Sequence, residues 1–118
     1  MQDRFRFRFW DKETKTMQKF PKIELRQRMA LDTIFDDDRV IFMQCTGLKD
    51  KNDKLIYEGD IVKIFHVSGT MQGKYFFDVI EWNDLRCRFE TKNYGIIDDD
   101  DVYEVIGNIY ENPELLKE

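Results

Sequence analysis

Arg4-Phe5-Arg6-Phe7-Arg8-Phe9-Trp10 alternates without a break. A strand turns successive side chains to opposite faces, so period two sets three phenylalanines on one face and three arginines on the other. The expectation is a half-buried strand with Phe5, Phe7 and Phe9 in the core and Arg4, Arg6 and Arg8 outside. A polar turn at residues 11–16 follows, and residues 17–20 are placed to pair back as a hairpin until Pro21 stops the pairing.

The rest of the chain keeps the same rhythm. Residues 23–34 fit neither the helical nor the strand period, and both readings stay open there. Residues 40–45 form a strand by propensity, with Thr46-Gly47-Leu48 expected to break it. The charged segment 49–54 is a turn, and Asn52-Asp53 tolerates positive φ. Strands are expected at 61–65, 75–82 and 86–91, and at 102–109 with a break at Gly107. Asn112-Pro113 caps a terminal helical turn, with proline at its first position. Gly59-Asp60-Ile61-Val62 at a strand start resembles small SH3-like barrels. Short strands at regular spacing with little helix argue a mainly β fold of antiparallel strands. One domain over residues 1–118 is expected, with a sub-part at 1–38 left open.

The chain has 118 residues, 42% of them hydrophobic and 36% charged, which is enough to build a core and not the composition of a disordered chain. Its net charge of −5 is unevenly spread. Residues 1–28 carry +5 and residues 29–118 carry −10. A uniformly basic nucleic-acid binder is thereby excluded, while a basic arm on an acidic body is not. No stretch reaches the ~18 apolar residues of a membrane span, and Met1-Gln2-Asp3-Arg4-Phe5-Arg6 lacks an apolar core, so no secretory signal is expected. No membrane partner is expected.

The inventory for catalysis is short. His66 and Ser68 lie two apart and would share a strand face, but Phe65-His66-Val67-Ser68-Gly69 is no nucleophile elbow. Cys45 and Cys87 form no CxxC, and both read as small buried hydrophobes. The acidic runs 36–38 and 98–101 lack the spaced ligands and turning glycine of a calcium loop. No phosphate-cradling glycine motif is present. The expectation is no enzyme, no catalytic residues, no metal and no cofactor. Arg4, Arg6 and Arg8 span ~13 Å of one strand face and could follow a phosphate backbone. The preferred reading is that they cover the outside of the strand and pair with the acidic body.

Three segments in order resemble the YopX family of phage and prophage proteins: residues 7–17, 42–62 and 105–116. The residues that carry the resemblance include Trp10, Asp11, Gly47, Leu48, Asp50, Tyr57, Glu58, Gly59, Asp60, Gly107 and Asn108, and a structural role is expected for them. The family usually shows glycine where Asp53 stands, which suggests a slightly strained or longer turn. The resemblance implies a mainly β fold and a phage-encoded protein in a bacterial cytoplasm. It implies no activity and transfers no catalytic residue. The reading that follows is a phage accessory protein acting as a non-catalytic interaction module. Its expected partner is a second copy or another protein; the alternative is nucleic acid bound by the arginine strand.

Overall fold

The computed structural model describes residues 6–20, 40–97 and 101–116. Arg4, the ambiguous segment 23–34, the acidic run 36–38 and residues 98–100 lie outside them. The fold is mainly β, built from two antiparallel sheets, one of them curled as half a barrel.

The first sheet has the order β2-β1-β3-β4. Its strands are β1 (Phe7–Asp11), β2 (Thr16–Phe20), β3 (Val40–Lys49) and β4 (Leu55–Tyr57). The β1–β2 hairpin is the one expected, with Trp10 opposite Met17. Its turn is held by Asp11, whose Oδ1 accepts the N–H groups of Glu13 and Thr14 at 2.9 and 3.2 Å, and by Lys15 at positive φ. On its other edge β1 pairs with β3, Phe9 opposite Phe42. Contrary to the break expected from sequence, Thr46-Gly47-Leu48 does not end β3. The strand runs on to Lys49 through a shift in register, with Gly47 at φ 84° supplying a conformation that side chains disfavour.

The second sheet has the order β8-β7-β6-β5-β9. It comprises β5 (Asp60–Phe65), β6 (Tyr75–Asn83), β7 (Arg88–Thr91), β8 (Gly95–Ile96) and β9 (Val102–Asn108). Residues 86 and 87, expected in a strand, belong instead to the β6–β7 turn. Gly107 does not break β9 but lies at a bulge, where Ile61 faces Gly107 and Val62 faces Val105. A 3-10 turn at Pro113–Leu116 closes the described chain.

The core sits on the inner face of the second sheet: Ile56, Val62, Ile64, Ile80 and Tyr103, flanked by Phe89, Ile97 and Val105. Ile56 comes from β4, so the first sheet contributes directly to it. Two buried carboxylates organise the loops around this core. Asp50 accepts N–H groups from Asn52 and Lys54 at 2.8 and 2.9 Å, and from Val105 on β9 at 2.9 Å. It thereby shapes the β3–β4 turn, in which Asp53 takes φ 66°, and ties that turn to the second sheet. Asp78 is fully buried and accepts three backbone N–H groups, from Val79, Asn93 and Tyr94, and the side-chain amide of Asn93. A buried carboxylate without a cation needs such a cage of donors.

Candidate functional site

Strands β4 and β5 do not pair with each other, because β4 belongs to the first sheet and β5 to the second. Glu58-Gly59 between them is therefore a corner where the chain passes from sheet to sheet. Gly59 adopts φ 85°, and a Cβ there would stand 3.0 Å from the Met43 sulfur. Its N–H donates to Ile80 O at 2.7 Å, and its carbonyl accepts from Ile109 N at 3.0 Å. The corner is thus hydrogen-bonded to β6 on one side and to the chain leaving β9 on the other.

Arg8 enters this corner, contrary to the outward position expected from period two. It is 7% exposed, and its Nη2 donates to Asp60 Oδ1 at 2.6 Å and to Glu58 O at 3.1 Å. Its guanidinium lies 4.8 Å from the centre of the Tyr57 ring. Two residues along the same face, Trp10 stacks on Tyr110 at 5.8 Å. The face read as solvent-facing is therefore the one that meets the second sheet. Phe9 is also buried, against Phe42 at 5.7 Å, so β1 is covered on both faces at its centre. Arg6 is exposed.

Asp60 is 1% exposed and also accepts the Tyr57 N–H at 2.7 Å. Burial pushes its carboxyl above the usual carboxylate range, against the pull of the Arg8 cation. At Asp50 burial acts in the same direction. There the N–H donors of Val105, Lys54 and Asn52, together with the Lys54 charge, outweigh it and hold the carboxyl below its usual value.

Beside the corner opens a cleft of about 460 Å³, whose walls include Arg8, Lys19, Lys54, Asp60, Asn108 and Asn112. Asn108 is buried and ties the C-terminal turn: its Oδ1 accepts from the N–H groups of Tyr110 and Glu111, and its Nδ2 donates to Glu111 Oε1 at 2.8 Å. Gly107 is required beside it, since a Cβ there would lie 2.5 Å from Asn112 Oδ1. Of the residues singled out from sequence, Arg8, Trp10, Tyr57, Glu58, Gly59, Asp60, Gly107 and Asn108 converge on this region. Gly47, Leu48 and Asp50 lie instead at the far end of β3 and its turn, and Asp11 at the β1–β2 turn.

A second surface escaped the sequence reading. On the outer face of the second sheet, Phe65 pairs with Tyr75 and Lys63 with Phe77. Phe65, Tyr75 and Phe77 are 40%, 54% and 44% exposed. The rings of Tyr75 and Phe77 are 5.8 Å apart, and Lys63 Nζ stands 4.3 Å over the Tyr75 ring. Across β5, Glu104 is opposite Lys63. The signal was the spacing of Tyr75 and Phe77, which a strand places on one face.

His66 Nδ1 lies 3.2 Å from Asp101 Oδ2, and β5 ends at Phe65, so His66 and Ser68 do not share a strand face. Cys45 is buried as expected, whereas Cys87 is exposed in the β6–β7 turn at φ 53°, where no strand packs over it. Among the described residues there is no group of three or more His, Cys, Asp or Glu side chains able to hold a metal ion. No helix among them is long and apolar enough to cross a membrane.

The family model described as YopX protein matches residues 6–117. The crystal structure of protein EF1440 from Enterococcus faecalis is similar at 27% identity and a TM-score of 0.65, covering 95% of this chain and 97% of that one. Protein yopX from Bacillus subtilis shares the fold at 18% identity and a TM-score of 0.56, covering 97% of this chain and 99% of that one. No curated protein matches the chain.

Proposed function

Starting from the fact that the chain belongs to the YopX family, we propose that it is a non-catalytic interaction module that pairs with a second copy of itself through the outer face of the second sheet. Phe65, Tyr75 and Phe77, exposed side by side in hydrogen-bonded register, are the observation that carries this reading. Contiguous exposed aromatics rimmed by charge have the composition of an interface centre. The rim suits a copy of the same chain. Lys63 and Glu104 stand opposite each other across β5 and β9, so a two-fold axis can set the lysine of one copy against the glutamate of the other. The resemblance to phage and prophage proteins supports an accessory role in a bacterial cytoplasm. The arginine strand supports nucleic-acid binding less well, because Arg8 is committed to Asp60 inside the corner.

The test is light scattering over a concentration series, on the wild type and on Tyr75→Ser/Phe77→Ser. A dimer that forms with rising concentration, and is lost in the variant at unchanged circular dichroism, is expected. A wild type that stays monomeric at high concentration overturns the reading. So does binding of single-stranded nucleic acid, weakening steeply with salt, that the same substitutions abolish.

A further inference from the structure

Resting on the reading of the aromatic face as a self-contact, we infer that the two copies meet face to face about a two-fold axis that runs along the strands between β5 and β9. The order of side chains across that face carries this. Register takes one row from Tyr75 on β6 through Phe65 on β5 to Val102 on β9. The next row runs from Phe77 through Lys63 to Glu104. The β3–β4 turn extends this second row, because Lys51 N donates to Tyr103 O at 2.9 Å and Lys51 Nζ lies 3.6 Å from Glu104 Oε1. In the third row Ile61 and Val79 are buried, at 0% and 8% exposure, so the accessible part of the face is its first two rows.

The charges of the second row are not spent on each other. Lys63 is opposite Glu104 in register, yet its Nζ stands over the Tyr75 ring at 4.3 Å and makes no ion pair among the described residues. Glu104 is drawn the other way, to Lys51 and to Asn52 Nδ2 at 3.4 Å. A recess of about 200 Å³ opens where the two part, walled by Lys51, Lys63, Phe65, Val102 and Glu104.

Sheets stacked face to face keep their strands roughly aligned, so an axis relating two identical faces lies in the plane between them, along or across the strands. Placed over β5 it sets Lys63 on Lys63, and placed over β9 it sets Glu104 on Glu104. Across the strands through the second row it again repeats like on like. Across the strands between the two rows it sets Lys63 on Phe65 and Glu104 on Val102. Midway between β5 and β9 the second row reads Phe77, Lys63, Glu104, Lys51 against Lys51, Glu104, Lys63, Phe77. There each Lys63 meets the Glu104 of the second copy, and each Lys51 meets a Phe77 ring. The first row then sets Phe65 of one copy against Val102 of the other, over the recess. Exposed ion pairs add little affinity, so the rings supply the burial and the charges fix the register.

Charge reversal tests this by sedimentation equilibrium, with circular dichroism as the check on folding. Lys63→Glu puts two like-charged contacts into the dimer, and so does Glu104→Lys; each alone is expected to weaken dimerisation at least about tenfold. Mixing the two variants is expected to restore it as a heterodimer, because one chain then offers two negative charges to two positive ones. Cysteine pairing is the second readout, in a Cys87→Ser background that removes the exposed native thiol. Lys63→Cys and Glu104→Cys proteins oxidised together are expected to cross-link, and neither to do so alone. If the wild type dimerises through the aromatic face but mixing restores nothing, or if Lys63→Cys cross-links to itself as readily as to Glu104→Cys, this axis is overturned and the self-contact stands. A wild type that stays monomeric overturns both.

Discussion

Asp60→Asn removes one charge from the corner and almost no volume. In the native chain Arg8 Nη2 is 2.6 Å from Asp60 Oδ1, with side-chain exposures of 9% and 2%. Because burial raises the Asp60 carboxyl above its usual range despite the nearby cation, the pair is not in itself a large source of stability. Its worth shows when one member is lost. The asparagine still accepts the Tyr57 N–H, but the Arg8 cation stays buried without its counter-charge. Breaking a buried pair in this way costs about 3–5 kcal/mol, a large share of the roughly 5–15 kcal/mol that holds a domain folded. At about 4 °C per kcal/mol, suited to a chain of this size, the melting temperature should fall by ~12–20 °C.

Arg8→Met breaks the same pair from the other side, with a different pH signature. Asp60 can then escape by taking a proton. The cost of Arg8→Met should therefore grow as pH rises from the carboxyl's folded-state pKa in the native chain to its higher value in the variant, at up to about 1.4 kcal/mol per unit, and level off above that. The double variant Arg8→Met/Asp60→Asn carries no buried charge and should be more stable than the sum of the singles implies, by at least about 2 kcal/mol. Urea denaturation at several pH values measures all four proteins. An Asp60→Asn cost below about 1 kcal/mol, or strict additivity in the double variant, would mean that Arg8 does not depend on Asp60 for its counter-charge.

Asp50 has a lowered carboxyl pKa in the folded chain, so its contribution to stability is full above its ordinary value of 3.8 and is lost as pH falls through the folded-state value. Asp50→Asn should flatten the acid limb of a plot of melting temperature against pH, and a limb of unchanged slope would assign acid sensitivity elsewhere. Gly107→Ala forces a Cβ against Asn112 and should cost about 1–3 kcal/mol. Asn112→Ala in the same chain should recover part of that in thermal melts, and no recovery would mean that the strain lies in the bulge backbone.

Local structure was legible where it depends on neighbouring residues. Alternation over residues 4–10 marks the strand described as Phe7–Asp11, the polar turn and Met17 mark β2, and Asp53 takes the positive φ that the usual glycine implies. The continuation of β3 past Gly47 was not legible, because the pairing that sustains it comes from β4, eight or more residues on. The face of Arg8 was the largest miss. Period two separates two faces but does not say which one meets a second sheet, and the partner that reverses the assignment, Asp60, is 52 residues away. Among the cleft residues, Arg8, Asp60, Gly107 and Asn108 stand out in the sequence and Asn112 reads as a helix cap, but Lys19 and Lys54 do not stand out. Exposed lysines carry no local pattern, and only the topology brings them to one wall.

The four residues from Tyr57 to Asp60 are contiguous, yet the bonds that fix them reach Arg8 near one end of the chain, Ile80 in β6 and Ile109 beyond β9. Contacts this distant form late, because loop entropy is lost before the contact is gained. The hairpins of each sheet, closed by short loops, are expected to form first, with the guanidinium of Arg8 still hydrated. Stripping that water is then part of docking one sheet on the other, so the order of folding is written into where a single cation comes to rest.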